Sequence, residues 1–139
     1  MHNIEIHEIM CDHPIKIKEN ISIGNVAHLL FRYQINGILV IGADDGEKLV
    51  GIFTTTDLLN LMAKAVSEGK HRIDELSEIS KKPVGEHVSR NIISLQRTDK
   101  VAKAIATMHR KNVHTIPIFD GEKLVGVLGR HDVLNIALS

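Results

Sequence analysis

A stretch of fifteen residues, Gly46 to Asn60, returns near the end of the chain as Gly121 to Asn135. Both copies open on Gly-Glu-Lys-Leu-Val-Gly, and Gly51 pairs with Gly126 and Asp57 with Asp132 at a constant spacing of 75. An echo at fixed spacing means internal duplication, so the chain has to fold as two similar halves. Each copy reads as a hairpin turn, a short apolar strand, a polar loop and a helix opened by an aspartate. A helix start carries unpaired N–H donors and a partial positive charge. The loop from Phe53 to Asp57 therefore aims an acid and several donors at one place, suited to a hydroxylated, anionic small molecule.

The rest of the chain follows the same duplication. Ile15 to Ile17 alternates like a half-buried strand, and Ser22 offers a cap to a helix in which Ile23, Val26, Ala27, Leu30 and Tyr33 recur at helical spacing. Asn36-Gly37 breaks that helix, and Ile38 to Ile41 is an apolar run of strand length. Asp44-Asp45-Gly46 turns the chain, Leu49 to Phe53 returns as the paired strand, and Asp57 starts a helix running through Leu58, Leu61, Met62 and Ala65. Between Glu68 and Pro83 the composition shifts to Lys, Glu and Ser, which reads as a helical or irregular connector. The second copy then brings a strand over Ile92 to Leu95 and a helix capped by Thr98. Val101, Ala104, Ile105 and Met108 of that helix each lie 78 positions after Ile23, Val26, Ala27 and Leu30. Strands over Thr115 to Phe119 and Leu124 to Leu128 and the Asp132 helix follow. The spacing falls from 78 to 75 through three extra residues in the first hairpin loop, about Gly42 to Asp44, where an insertion leaves the core undisturbed.

Each half is a β-α-β-β-α unit of ~50–60 residues, too small to cover both faces of its sheet. The expected architecture is α+β, two tandem repeats packed as a pseudo-twofold pair through their sheets. The expected division is 1–66 for the first repeat, 67–83 for the connector and 84–139 for the second.

Seventeen basic and seventeen acidic residues cancel, which removes the electrostatic case for nucleic acid or an anionic membrane. The single cysteine, Cys11, cannot form an internal disulfide and fits a reducing compartment, and no stretch reaches membrane-spanning length, so a cytoplasmic location is expected. His7, Cys11 and His13 match no closed four-ligand metal pattern, so no metal is expected. Nor does the chain contain a phosphate loop, a dinucleotide fingerprint, a zincin motif or a nucleophile elbow, and it reads as a non-enzyme.

Two copies of strand, helix and hairpin ending in Gly-hydrophobic-x-Ser/Thr-x-x-Asp resemble a tandem pair of CBS domains, the Bateman module, over about Ile6 to Ile136. The first copy carries the full signature, Gly51-Ile52-Phe53-Thr54-Thr55-Thr56-Asp57. The second keeps Gly126, Val127 and Asp132 but has Gly129 in place of the hydroxyl, and it alone has the segment His114-Thr115-Ile116-Pro117. The resemblance implies a regulatory module that binds an adenosine-bearing ligand, AMP, ADP, ATP or S-adenosylmethionine, with no cofactor required. It implies crossed sites between the repeats, in which an aspartate holds the ribose and the other repeat supplies the base pocket. The favoured set is Asp57, Thr54 and Thr55 with Asn91, Ile92, Ile93, His114, Thr115, Ile116 and Pro117. The second set is Asp132, Arg130 and Gly129 with His13, Ile15, Gly37 and Ile38.

Carboxylates accept ribose hydroxyls, threonine hydroxyls and helix-start N–H groups suit phosphate oxygens, and strand backbone can read an adenine edge. With no Trp, a purine would lie between aliphatic side chains, Ile93 and Ile116 being the candidates. The expected function is a stand-alone sensor whose ligand biases the angle between the repeats or the dimer arrangement. Its partners would be a second copy, through helix faces bearing Leu58, Leu61, Met62, Val133 and Ile136, or a regulated protein. The alternative is a ligand-free interaction module.

Overall fold

In a computed structural model of the chain, the structure describes residues 3–44, 46 and 48–138. Strand β1 (Lys16–Lys18) lies parallel to β2 (Gly37–Ile41), which pairs antiparallel with β3 (Leu49–Thr54), giving a three-stranded sheet in the order β1-β2-β3. Between β1 and β2 runs α1 (Ile23–Arg32), capped by the Ser22 hydroxyl, which accepts the Asn25 N–H at 3.2 Å. Its buried residues are Ile23, Val26 and Leu30, three of the five the periodicity selects; Ala27 is half-buried, and Tyr33 lies past the last turn, at the C-cap, where its ring is exposed. After β3 come α2 (Thr55–Ser67) and α3 (Ile73–Ser80), so the connector is in part helical. The turn residue Asp45 lies outside the described residues; Gly46 beside it has φ +95°, a backbone region that glycine enters without strain.

The second copy repeats the arrangement with β4 (Leu95–Gln96), α4 (Val101–Lys111), β5 (Thr115–Asp120), β6 (Lys123–Gly129) and α5 (Arg130–Leu138), its sheet ordered β4-β5-β6. Both sheets carry an irregularity at the equivalent place, between Val40 and Ile41 and between Ile118 and Phe119.

Two local expectations are corrected. Thr98 does not cap α4. Its cap position is Lys100, with no side-chain bond, and the preceding turn is held by the Asp99 carboxylate, which accepts the Gln96 N–H at 2.8 Å. The strand expected over Ile92 to Leu95 is only Leu95–Gln96, because Ile92 and Ile93 lie where one compact unit ends and the other begins.

Those units cut across the repeats. One is Ile15–Ile92; the other joins Met1–Pro14 to Ile93–Ser139. The segment leading into each repeat is thus built into the unit of the other. In the 15–92 unit, Val84 N–H donates to the Ile21 carbonyl at 2.8 Å and Gly85 N–H to Glu19 at 2.8 Å, and Val84 is fully buried with Ile23, Val26, Leu30, Ile38, Val40 and Phe53. In the other unit, Ile6 N–H donates to Asp99 at 2.9 Å and His7 N–H to Arg97 at 3.0 Å, and Ile6 is fully buried with Val101, Ala104, Ile116, Ile118 and Leu128. Ile6 and Val84 sit at the duplicated register, so each core borrows one fully buried residue from a lead-in, with Ile9 and Met10, or Val88, packed beside it. Among the described residues no helix is long and apolar enough to cross a membrane.

Candidate functional site

Because β1 and β2 are parallel, both start at the same end of the sheet. The antiparallel β3 finishes there, α1 ends there and α2 begins there. Connectivity alone thus gathers Ile15, Gly37, Ile38, Thr54, Thr55 and Asp57 at one end of the 15–92 unit. Gly37 faces Thr54 and Ile38 faces Phe53 across the β2–β3 ladder. The other unit does the same with Thr115 facing Gly129, Ile116 facing Leu128 and Pro117 facing Val127.

The acid loops are held by repeated hydrogen bonds. Asp57 Oδ2 accepts Thr54 N–H at 2.8 Å and the Thr54 hydroxyl at 2.9 Å, and Thr54 Oγ1 accepts Asp57 N–H at 3.1 Å. This reciprocal cap fixes α2 and points the carboxylate back over the loop. Thr54 is therefore the cap, and α2 begins at Thr55 rather than at Asp57. The Thr54 hydroxyl spends its one hydrogen on Asp57, which leaves Thr55 as the hydroxyl of the favoured set with a hydrogen to offer. In the second copy Asp132 Oδ2 accepts Gly129 N–H at 2.8 Å, the same bond without the hydroxyl. Among the described residues the second carboxylate oxygen of Asp57 and of Asp132 takes no hydrogen bond. One further bond ties each loop down: Thr55 N–H donates to the Asn36 carbonyl and Arg130 N–H to the His114 carbonyl, both at 2.9 Å.

The two residue sets implied by the resemblance each draw on both units. Unit by unit, the structure brings Thr54, Thr55 and Asp57 together with Gly37 and Ile38, and Gly129, Arg130 and Asp132 together with His114, Thr115 and Ile116. Ile38 and Ile116 are fully buried core side chains, so they offer a ligand only their backbone. Pro117 is buried as well, whereas Ile15, Ile92 and Ile93 are half-buried and Asn91 is exposed. His13 is exposed and its Nδ1 lies 2.6 Å from Asp12 Oδ1, a bond that holds the Asp12 carboxyl below its ordinary range. Among the described residues no group of three His, Cys, Asp or Glu stands close enough to hold a metal.

Asn36 was missed by sequence reasoning, although it stands 78 positions before His114 and so carried the signal. The docking of the lead-ins was missed too. Cys11 exchanges two backbone bonds of 2.9 Å with Val127, and Ser89 exchanges bonds of 3.2 and 3.4 Å with Ile52. A Cβ on Gly51 would come 2.5 Å from the Ser89 carbonyl oxygen, and one on Gly126 would come 2.7 Å from that of Cys11. The glycine that opens each acid-loop motif is thus there to let a lead-in cross the strand.

Comparison with known proteins bears on this arrangement. The model of the CBS domain family matches the chain twice, over residues 6–64 and 84–139. The L-aspartate semialdehyde sulfurtransferase of Methanocaldococcus jannaschii is 28% identical over 129 residues, 92% of this chain and 22% of that protein. This chain therefore spans about a fifth of that relative's length. Among solved structures, the CBS domain pair of protein MJ0100 in complex with 5′-methylthioadenosine and S-adenosyl-L-methionine has a TM-score of 0.75 at 27% identity, covering 96% of this chain and 95% of that one. CBSX2 in complex with AMP has a TM-score of 0.76 at 23% identity, covering 96% of each.

Proposed function

The chain belongs to the CBS domain family, and from that membership we propose that it is a regulatory module that binds an adenosyl compound at the acid-loop ends of its sheets. The observation that carries the reading is the duplicated carboxylate. Asp57 and Asp132 are each fixed through Oδ2 by a backbone N–H three residues upstream, with the other oxygen left to accept a ribose hydroxyl. The 27% identical CBS pair with bound 5′-methylthioadenosine and S-adenosyl-L-methionine supports an adenosine thioether or sulfonium as ligand. No catalytic role is proposed for this stretch.

A ligand shifts a conformational equilibrium only by its difference in affinity for the two states, so a regulatory module needs a readout surface. We propose a second copy of the chain, or a regulated protein, docking on exposed apolar side chains of α2 and α5: Leu59, Met62, Val66, Leu134 and Leu138. Of the five residues expected on those faces only Met62 is exposed; Leu58, Leu61, Val133 and Ile136 pack against the cores.

Calorimetric titration with S-adenosylmethionine, 5′-methylthioadenosine, AMP and ATP tests the ligand. Saturable heat is expected, with affinity reduced at least about tenfold (1.4 kcal/mol) in Asp57→Asn, which keeps a cap acceptor and hence the helix. Silence with all four compounds would leave the ligand-free interaction module.

A further inference from the structure

The exposed helix faces of the two units are built on one plan and differ at one end. In the 15–92 unit, α1 finishes on Phe31 and Arg32 with Tyr33 at its C-cap, and α2, packed beside it, carries Leu59, Met62 and Val66 outward. In the unit holding the second repeat, α4 finishes on Arg110 and Lys111, and α5, packed beside it, starts on Arg130 and carries Leu134 and Leu138 outward. The duplication sets Phe31 at the register of His109, Tyr33 at that of Lys111 and Leu59 at that of Leu134. Each face is thus an apolar row, ended by rings on one unit and by cations on the other.

Neither end is satisfied within its own unit. Phe31 is 67% and Tyr33 50% exposed, although one Tyr and three Phe are all the aromatic residues the chain has to bury. Helices α4 and α5 carry Lys103, Arg110, Lys111 and Arg130 against the single acid Asp132, whereas α1 and α2 carry only Arg32 and Lys64 against Asp57. Among the described residues Arg110, Lys111 and Arg130 form no ion pair. Two α4–α5 faces set against each other would repel. A ring, in contrast, attracts a guanidinium or ammonium over its face, and Arg32, 6.0 Å from the Tyr33 ring centroid, makes such a contact within one copy.

We propose that two copies of the chain pair in opposite senses, the α1–α2 face of the 15–92 unit in one copy against the α4–α5 face of the second-repeat unit in the other. Phe31 and Tyr33 meet Arg110, Lys111 and Arg130 at the end of the contact, and Leu59 lies beside Leu134 in its apolar row. The assignment rests on the reading above that a second copy docks on these helices, and adds which face meets which.

Cysteine pairs in the whole chain test it, in a Cys11→Ser background that removes the one native thiol, which is exposed. Leu59→Cys and Leu134→Cys copies with tags of different size are oxidised separately and as a mixture. Both sites are exposed, so folding is retained and is checked by far-UV circular dichroism. A disulfide-linked dimer is expected in the mixture, joining the two tags, and in neither variant by itself. Linked dimers of either variant with itself overturn the opposed pairing and leave the docking of a second copy standing. No link in any sample overturns the pairing, and a wild-type monomer in sedimentation velocity then removes the second copy as readout as well. A charge change gives an independent measure. Phe31→Glu sets a carboxylate against three cations and is expected to tighten self-association at least about threefold, a gain lost in about 1 M sodium chloride. Unchanged or weaker association of Phe31→Glu overturns the pairing, because like faces would bring two carboxylates together.

Discussion

Thr54 and Gly129 hold the same place in the two acid loops, and the threonine side chain that the second lacks carries a hydroxyl spent on the aspartate rather than on solvent. Thr54→Ala is expected to lower stability by about 1 kcal/mol through loss of the helix cap. Gly129→Thr is expected to raise it by about 0.5–1 kcal/mol, because a Cβ there meets only Asp132 Oδ2 at an ordinary 3.5 Å and the unfolded chain loses freedom. Urea unfolding midpoints of the two variants, moving in opposite directions, check both. Gly51→Ala is a different case, since the atom in its way is a backbone oxygen 2.5 Å off and cannot swing aside. A cost of about 1–3 kcal/mol is expected in the same assay. The sequence showed that Gly51 and Gly126 are equivalent, but not why they are glycine. That reason lies in Ser89 and Cys11, dozens of residues away along the chain. The same holds for Ile116: its place in a matching motif was legible, but its full burial depends on packing that no local pattern encodes.

Helix α2 shows what periodicity settles and what it leaves open. Leu58, Leu61 and Ala65 form one stripe at helical spacing, and Leu59, Met62 and Val66 form another, so the sequence specified a helix with apolar residues but not which stripe faces in. Packing decides it: Ala65 is buried, Leu58 and Leu61 lie on the core, and Leu59, Met62 and Val66 are 64%, 44% and 43% exposed. The double variant Leu59→Glu/Met62→Glu is expected to leave the unfolding free energy within about 0.5 kcal/mol while removing self-association in sedimentation velocity. Leu61→Ala is expected to cost about 2 kcal/mol and leave association intact. The succession of strands and helices and the two hairpins were legible because hairpin turns, caps and alternation are local signals, whereas the parallel pairing of β1 with β2 and of β4 with β5 is set by long-range contacts. The strand over Ile92 and the cap at Thr98 failed because a chain crossover and a carboxylate-held turn there override local preference.

For the whole molecule, the duplication visible in the sequence and the folded units are out of step by one lead-in. A polypeptide of residues 15–92 holds all of its own core, including Val84, and is expected to give dispersed amide resonances and a cooperative melt. One of residues 1–66, the first repeat as the sequence draws it, lacks Val84 and the bonds that the lead-in makes to Glu19, Ile21 and Ile52, and is expected to show neither.

The swapped lead-ins also govern what happens when the backbone is severed. Lys70 lies on an exposed stretch just after Gly69, whose φ is +85°, and trypsin cleaving after it would yield two pieces, each supplying part of both compact units. Such a nicked molecule should elute from a sizing column as one species and separate only in denaturant. Two genes encoding the pieces would then rebuild the module by mutual complementation.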